Sequence, residues 1–477
     1  MKMSKFNILL LSLSLSLGAT SCNDWLSVQP ESEVEDKDLF SAESGFKEAL
    51  AGVYSSMVKD ATYARQLTFG ALSVAGQEWD NYPSAEYSDF AEYNYDMASP
   101  TSIIAGIWST AYNSIANANS LLKHLDETDV PFHGDNKAII KGEALALRAM
   151  LHFDLLRCFG VSYQVDPSKP SIPYTTDFTY RVFPQLKVSE VADLILKDLD
   201  DAQALLEVDP IYTGRSVSLL DDNGYLINRT IHLNYWAVRA LKARVLLWTQ
   251  RYAEAYAEAK AVYSSDKFSW ATQDKLGNGY DNSYADEQIF ALQNVNLKTL
   301  GDNYFSSSRD AYSFSLNRAT LLNRFDNDAT DIRFLYGFSE GETSDNIDKR
   351  YMKKYVESSG DDSWYQSKMP ILRVGEMLLI MAETASHAGD DGLQWLNELR
   401  AARNLQPLTD TSASSLIDLI TAEYRRELLG EGQIFFLCKR LNLDYVFGSG
   451  VEMISSKSYT FPLPQSETEP GQRQENR

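Results

Sequence analysis

Apolar positions along this chain recur mostly at helical spacing. The stretch NKAIIKGEALALRAMLHFDLLRCFG, from Asn136, puts Ile140, Leu147, Leu151 and Leu155 on one stripe and Ile139, Ala146, Met150 and Phe153 on the next. Two apolar faces on one helix predict packing on both sides, and Gly160 stands where such a helix stops. LNYWAVRALKARVLLWTQRYAEAYAEAKAVY, residues 233–263, predicts two helices broken at Gln250-Arg251. Within it Ala243, Leu246, Tyr252 and Ala255 fall where a tetratricopeptide unit sets small and large residues so that paired helices approach closely. A third pair is predicted over 371–403, turning at Gly389-Asp390-Asp391-Gly392, and shorter helical patterns cover 43–58, 101–125, 188–206 and 413–429. The stretches between, 76–99, 160–185, 208–230 and 265–310, are rich in Tyr, Asn, Asp, Ser and Gly and predict loops. The expected fold is mostly α, with irregular tetratricopeptide-like helix pairs framing a loop-rich region where binding is expected.

The first residues break this pattern. Phe6 to Ala19 form an apolar run behind Lys2 and Lys5, followed by the small residues Thr20 and Ser21. The run is shorter than the roughly 20 apolar residues of a membrane span, and its layout is that of a secretory signal over residues 1–21. The Leu/Ser alternation of Leu11 to Leu17 also fits a half-buried strand, against which position and flanks argue. Cys22 then stands at the exit, where it resembles the lipobox of bacterial lipoproteins, with Ala19 in place of the usual Leu. The resemblance implies lipidation of Cys22, and more than one acyl chain is enough for stable anchoring. A free cysteine beyond an ordinary cleavage site is the other reading.

Charge and composition narrow the partners. The formal net charge is −22, and residues 1–21 carry two lysines and no acid, so the remainder is more acidic still. No Lys/Arg run appears, which excludes nucleic acid and anionic lipid surfaces as expected partners. After Cys22 only Cys158 and Cys438 remain, both in apolar helical settings, so no disulfide scaffold is expected. None of the five histidines is paired at metal-ligand spacing, and there is no Cys-x-x-Cys, G-x-S-x-G elbow or Walker loop. Gly277-Asn278-Gly279 reads as a turn, because Asn282 occupies the position of the third glycine in a dinucleotide loop. Asp326, Asp328 and Asp331 lack the spacing of an EF-hand and read as a solvated helix end, so no cofactor is expected and calcium has no support. Any two acids could converge as a glycosidase pair, but the sequence singles out none.

Seven segments, in order, resemble the SusD/RagB family of outer-membrane lipoproteins. They are the opening CNDWLSVQPESEVEDKDLFSAESGFKEALAGVYSSM, then GEALALRAMLHFDLLRCFG (142–160), FPQLKVSEVADLILKDLDDAQALL (183–206), NRATLLNRFDNDATDIRF (317–334), MPILRVGEMLLIMAE (369–383), EYRRELLGEGQIFFLCKRL (423–441) and FPLPQSE (461–467). Leu437 stands where the family has an Asp after the aromatic pair. The resemblance implies a signal over 1–21, an N-terminal part over 22–225 and a C-terminal part over 226–477 that form one compact unit. It implies a non-catalytic protein, lipid-anchored at the outer membrane and facing the cell surface, that binds glycans and delivers them to a TonB-dependent SusC-like transporter. A minority of relatives bind peptides, which is the alternative, and a glycosidase is the remoter rival. Glu143, Arg148, Arg425, Arg426 and Glu427 are expected to hold helices together by buried or half-buried pairing.

A glycan site needs flat rings for the C–H faces of sugars and amide or carboxylate partners for their hydroxyls. GQEWDNYPSAEYSDFAEYNYD, residues 76–96, holds Trp79, Tyr82, Tyr87, Tyr93 and Tyr95 beside Gln77, Glu78, Asp80 and Asn81. Trp79 is the expected stacking ring, with Tyr82, Asp80 and Asn81 beside it. Tyr284, Tyr304, Trp364 and Tyr365 are candidates for the opposite wall. The competing reading packs Trp79 onto the scaffold, as large aromatics are mostly buried.

Overall fold

The computed structural model describes residues 37–179, 181–359, 362–409, 415–447, 450–454, 457–469 and 473–477. The signal segment and Cys22 lie outside the described residues. The chain is mostly helical, as its periodicity predicts. The long helices are α1 (Glu43–Met57), α2 (Ala98–Glu127), α3 (Asn136–Phe159), α4 (Val188–Leu205), α5 (Tyr235–Trp248), α6 (Tyr252–Tyr263), α7 (Val374–Thr384), α8 (Gly392–Ala402), α9 (Leu416–Glu427) and α10 (Ile434–Leu441). Consecutive helices pack as antiparallel pairs: α3 on α4, α5 on α6 and α7 on α8, with α2 behind α3 and α6 against α7. Such stacking buries one continuous core between neighbours, which is the physical basis of a helical-repeat scaffold.

Each helix shows why its residues chose it. In α1, Phe46, Leu50, Val53 and Met57 share one stripe and are buried. α3 is buried nearly all round from Ile139 to Phe159, as its double stripe predicts. Gly142 lets this helix approach the end of α4, because a Cβ there would stand 2.8 Å from the Leu206 side chain. The break between α5 and α6 turns on Gln250, held at φ +61°. Ala243, Leu246 and Ala255 are buried between the two helices, and Tyr252 stacks on His387 at 4.5 Å.

The main departure from the sequence pattern is a pair of strands. Ile371 does not open a helix: β7 (Lys368–Arg373) runs antiparallel to β3 (Gln288–Gln293), which lies inside the predicted loop 265–310. Both are short, largely apolar runs, and such runs do not distinguish a buried strand from a buried helical turn by periodicity. Two smaller antiparallel sheets accompany them: β1 (Pro170–Pro173) with β2 (Gln185–Lys187), and β4 (Leu316–Asn317), β5 (Phe338–Glu340) and β6 (Lys349–Met352) in the order β4-β6-β5.

The charged residues of the recurring segments join elements. Glu143 faces Arg229 at 2.7 Å and His232 at 2.8 Å, and accepts from the Tyr54 hydroxyl at 2.7 Å. Burial pushes its carboxyl up, but Arg229 and His232 win and hold it down at about 2. Arg148 grips Asp198 through two bonds of 2.7 and 2.8 Å. Glu427 accepts from Arg333 at 2.9 Å, Arg373 at 2.6 Å and Arg403 at 2.6 Å, with every partner buried. Arg426 pairs with Glu423 at 3.1 Å, whereas Arg425 lies 4.1 Å from the centre of the Phe447 ring. Cys158 and Cys438 are buried free thiols, each pushed up to about 12 by burial.

Candidate functional site

The loop after the short helix Ala71–Ala75 begins with Gln77 at φ +54° and carries Trp79 inward. The indole Nε1–H donates to the Phe69 carbonyl at 2.8 Å, and the ring sits 5.6 Å from Phe314 and 6.0 Å from Phe305. At 7% exposure Trp79 belongs to the core and presents no free face. Tyr87, Phe90, Tyr93 and Tyr95 are buried as well; the Tyr93 hydroxyl donates to the Ala75 carbonyl at 2.9 Å and that of Tyr95 to the Ser458 carbonyl at 2.9 Å. The competing reading of Trp79 describes the structure, because an indole N–H and the three phenolic hydroxyls of Tyr87, Tyr93 and Tyr95 all find partners inside. Asp80 and Asn81 stitch the loop to β4. The backbone N–H groups of both donate to the Ser315 carbonyl, at 3.1 and 3.0 Å, and the Asp80 carboxylate accepts from Asn317 N–H at 2.6 Å.

These inward rings form a floor of Phe69, Trp79, Tyr87, Phe305, Phe314 and Tyr355, with Phe69 within 5.6 Å of Phe305, Phe314 and Tyr355. At its edge two of the expected rings keep exposed surface. Tyr82 is half-buried and meets Tyr87 edge-on at 6.2 Å. Tyr304, also half-buried, ends the helix Leu297–Tyr304 and leans on Phe69 at 5.6 Å and Phe314 at 6.1 Å. Arg65 joins the two sides: its guanidinium lies 5.5 Å from the Tyr304 ring centre, reaches Glu86 at 3.2 Å and pairs with Asp60. Tyr312, 61% exposed, lies under Arg309 at 5.7 Å, and Arg309 donates to the Asn303 side chain at 2.9 Å. This surface offers aromatic faces beside carboxylate, amide and guanidinium groups, the set that a sugar ring with its hydroxyls requires.

The other expected residues gather elsewhere. Tyr284 is buried at φ +58°, 5.4 and 5.5 Å from the guanidinium carbons of Arg373 and Arg403. Trp364 donates from Nε1 to Asp286 at 3.0 Å, and the Lys368 ammonium sits 3.4 Å from its ring centre. Tyr365 has Lys275 at 4.9 Å, and Lys275 pairs with Asp286 at 2.7 Å. Of the later candidates, only Tyr304 leans on the floor beneath the early loop. Arg65, Glu86, Tyr312 and Arg309 went unmarked in the sequence. The available signals were that Glu86 and Arg309 lie inside the predicted loops 76–99 and 265–310, and that Tyr312 lies two residues past the second.

Glu78, at the root of the loop, is a buried carboxyl with one oxygen unpartnered; the other accepts from Gly430 N–H at 3.2 Å. Burial pushes it up to about 7 from 4.5, against opposing pulls from the Ser73 side chain, Arg324 and the Gly430 N–H. With the folded value above the unfolded one, Glu78 costs nothing in acid, and its cost grows as pH rises from 4.5 through 7. We expect Glu78→Gln to gain thermal stability over the parent across that window, by on the order of 3 kcal/mol at neutral pH. Melting curves of both proteins at stepped pH check this, and parallel curves would refute it.

Comparison with known proteins adds to this picture. Residues 24–247 match the SusD-like family described as starch-binding and associating with the outer membrane, and residues 336–469 match the SusD family. A SusD-like protein of Formosa agariphila is 27% identical over 263 residues, 55% of this chain and 46% of its own length, so the match spans about half of that curated relative. A SusD superfamily protein from Bacteroides thetaiotaomicron has a TM-score of 0.69 at 21% identity, over 91% of this chain and 100% of that one. A laminarin-binding SusD-like protein has a TM-score of 0.65 at 19% identity, over 91% and 99%. Among the described residues no helix is long and apolar enough to cross a membrane.

Proposed function

Taking as premise that this chain belongs to the SusD/RagB family of carbohydrate-binding proteins, we propose that it captures a glycan on the surface edged by Tyr82, Tyr304 and Tyr312 and delivers it to a TonB-dependent SusC-like transporter. Lipid on Cys22 would hold it at the outer membrane, in keeping with the family's association with that membrane. The observation that carries the reading is the half-buried pair Tyr82 and Tyr304 on one floor of rings, with Arg65 over Tyr304 and paired to Glu86 of the early loop. Half-buried rings lose little mobility on binding, because their lower edges are already fixed, while their outer faces stay free for sugar C–H groups.

No catalytic role is assigned. The carboxylates at the edge are engaged: Asp60 and Glu86 by Arg65, and Asp80 by a backbone N–H. Laminarin is a reasonable first ligand, because a solved relative is described as binding it.

Calorimetric titration of a neutral polysaccharide panel that includes laminarin tests the proposal. Tyr304→Ala and Tyr82→Ala are each expected to weaken binding by roughly 1–3 kcal/mol, the truncation cost of a binding hot spot, with melting temperature nearly unchanged. Full affinity in both variants would remove the site from this surface.

A further inference from the structure

We propose that a junction between the two family-matched segments, far along the chain from the glycan-surface residues, is a binding site for ordered water. A partly open pocket of about 40 Å³ lies between α3, α5, α7, α9 and α10. Its walls include Phe153 and Arg157 from the first matched segment, Glu376 and Tyr424 from the second, and Trp248 one residue beyond the first. Trp248, Tyr424 and Arg157 are all more than nine-tenths buried. Each of these lining residues carries a buried polar atom with no hydrogen-bond partner: Trp248 Nε1, the Tyr424 hydroxyl and Arg157 Nε.

The chemistry of these atoms selects the occupant. An indole N–H and a guanidinium N–H can only donate, and a phenol can donate, so the occupant must accept. The space exceeds the roughly 10–15 Å³ that one water needs on the same measure. The walls also supply acceptors for a water's own hydrogens, the Glu376 carboxylate and the Gln433 side-chain oxygen. An anion is disfavoured by charge. The guanidinium groups on the wall already face carboxylates: Arg157 with Asp154, Arg244 with Glu376 at 2.5 Å, and Arg440 with Glu383 at 2.8 Å. A wall of balanced charge whose residues carry three unpartnered donors is a setting in which ordered water makes its usual two to four hydrogen bonds. Leaving one such donor unmet is costly, so the water acts as a shared joint between helices that make no direct hydrogen bond through these atoms.

Two measurements on the mature chain decide it. A high-resolution crystal structure, with a second crystal soaked in bromide, is expected to show water density within hydrogen-bond distance of at least two of the three donors and no anomalous peak there. Absent density, or a bromide peak, overturns the proposal. A double-mutant cycle of Trp248→Phe and Tyr424→Phe supplies the second measurement. Each change is expected to lower the melting temperature by about 1–3 °C, and the double variant by clearly less than the two together, because both donors serve one water. Strictly additive shifts would also overturn it. Neither substitution touches the glycan surface, so a failure here leaves the proposed function standing.

Discussion

Replacing Glu427 by Ala is expected to be the most damaging single change in the molecule. The carboxylate is the meeting point of Arg333, Arg373 and Arg403, which arrive from different parts of the chain. Burial alone would push Glu427 up, yet Arg403 and Arg373 hold it well below the usual carboxylate range, so it stays charged. Glu287 shares Arg403 at 2.7 Å and Arg373 at 3.3 Å, and Glu431 takes Arg373 at 2.7 Å. Removing Glu427 leaves buried guanidinium groups short of a counter-charge. Breaking a buried pair from one side costs about 3–5 kcal/mol, and here three cations are affected at once. The expected result is a large fall in melting temperature and in soluble yield, with Glu427→Gln little better because it keeps volume and loses charge. A melting temperature within a degree or so of the parent's would mean that Glu287 and Glu431 together carry the cluster.

Trp79→Ala is the second large effect, and it acts on the fold rather than on sugar contact. The ring fills space between Phe305, Phe314 and the turn at Gly430, where φ is +74° and the Trp79 ring edge lies 3.5 Å from where a Cβ would sit. Deleting a buried tryptophan costs about 3–5 kcal/mol, and the Phe69 carbonyl also loses its donor. Trp79→Phe separates the two roles of the ring. It fills part of the space and drops the N–H, so it should melt earlier than the parent while binding the same polysaccharides nearly as well. Lost binding at an unchanged melting temperature would instead put the ring against the ligand.

The helical frame was largely legible in the chain. The double stripe of α3 and the break at Gln250 depend on neighbours in sequence, and local periodicity reports those directly. The strands β3 and β7 were not legible, because their identity depends on pairing across about eighty residues. The site divides the same way. That residues 76–96 matter to the surface could be read from their crowding of rings and acids, and Tyr82 and Tyr304 were both marked. Which face each ring shows could not be read, since Trp79 turns inward for a carbonyl that belongs to another turn, Phe69. Lys368 likewise covers Trp364 from a strand whose existence the pattern concealed. Arg65 was missed because its role comes from Tyr304 and Glu86, neither of which is close to it in sequence.

The floor of inward rings has a consequence for how this surface can change over generations. Its members are held by one another and by carbonyl partners, Trp79 by Phe69 and Tyr355 by Gly430, whereas the outer faces of Tyr82, Tyr304 and Tyr312 hold up nothing above them. Drift at those three positions is therefore separated from the survival of the fold. A lineage carrying this chain could alter the outer rings by a handful of rim codons, while selection on the floor stayed strict.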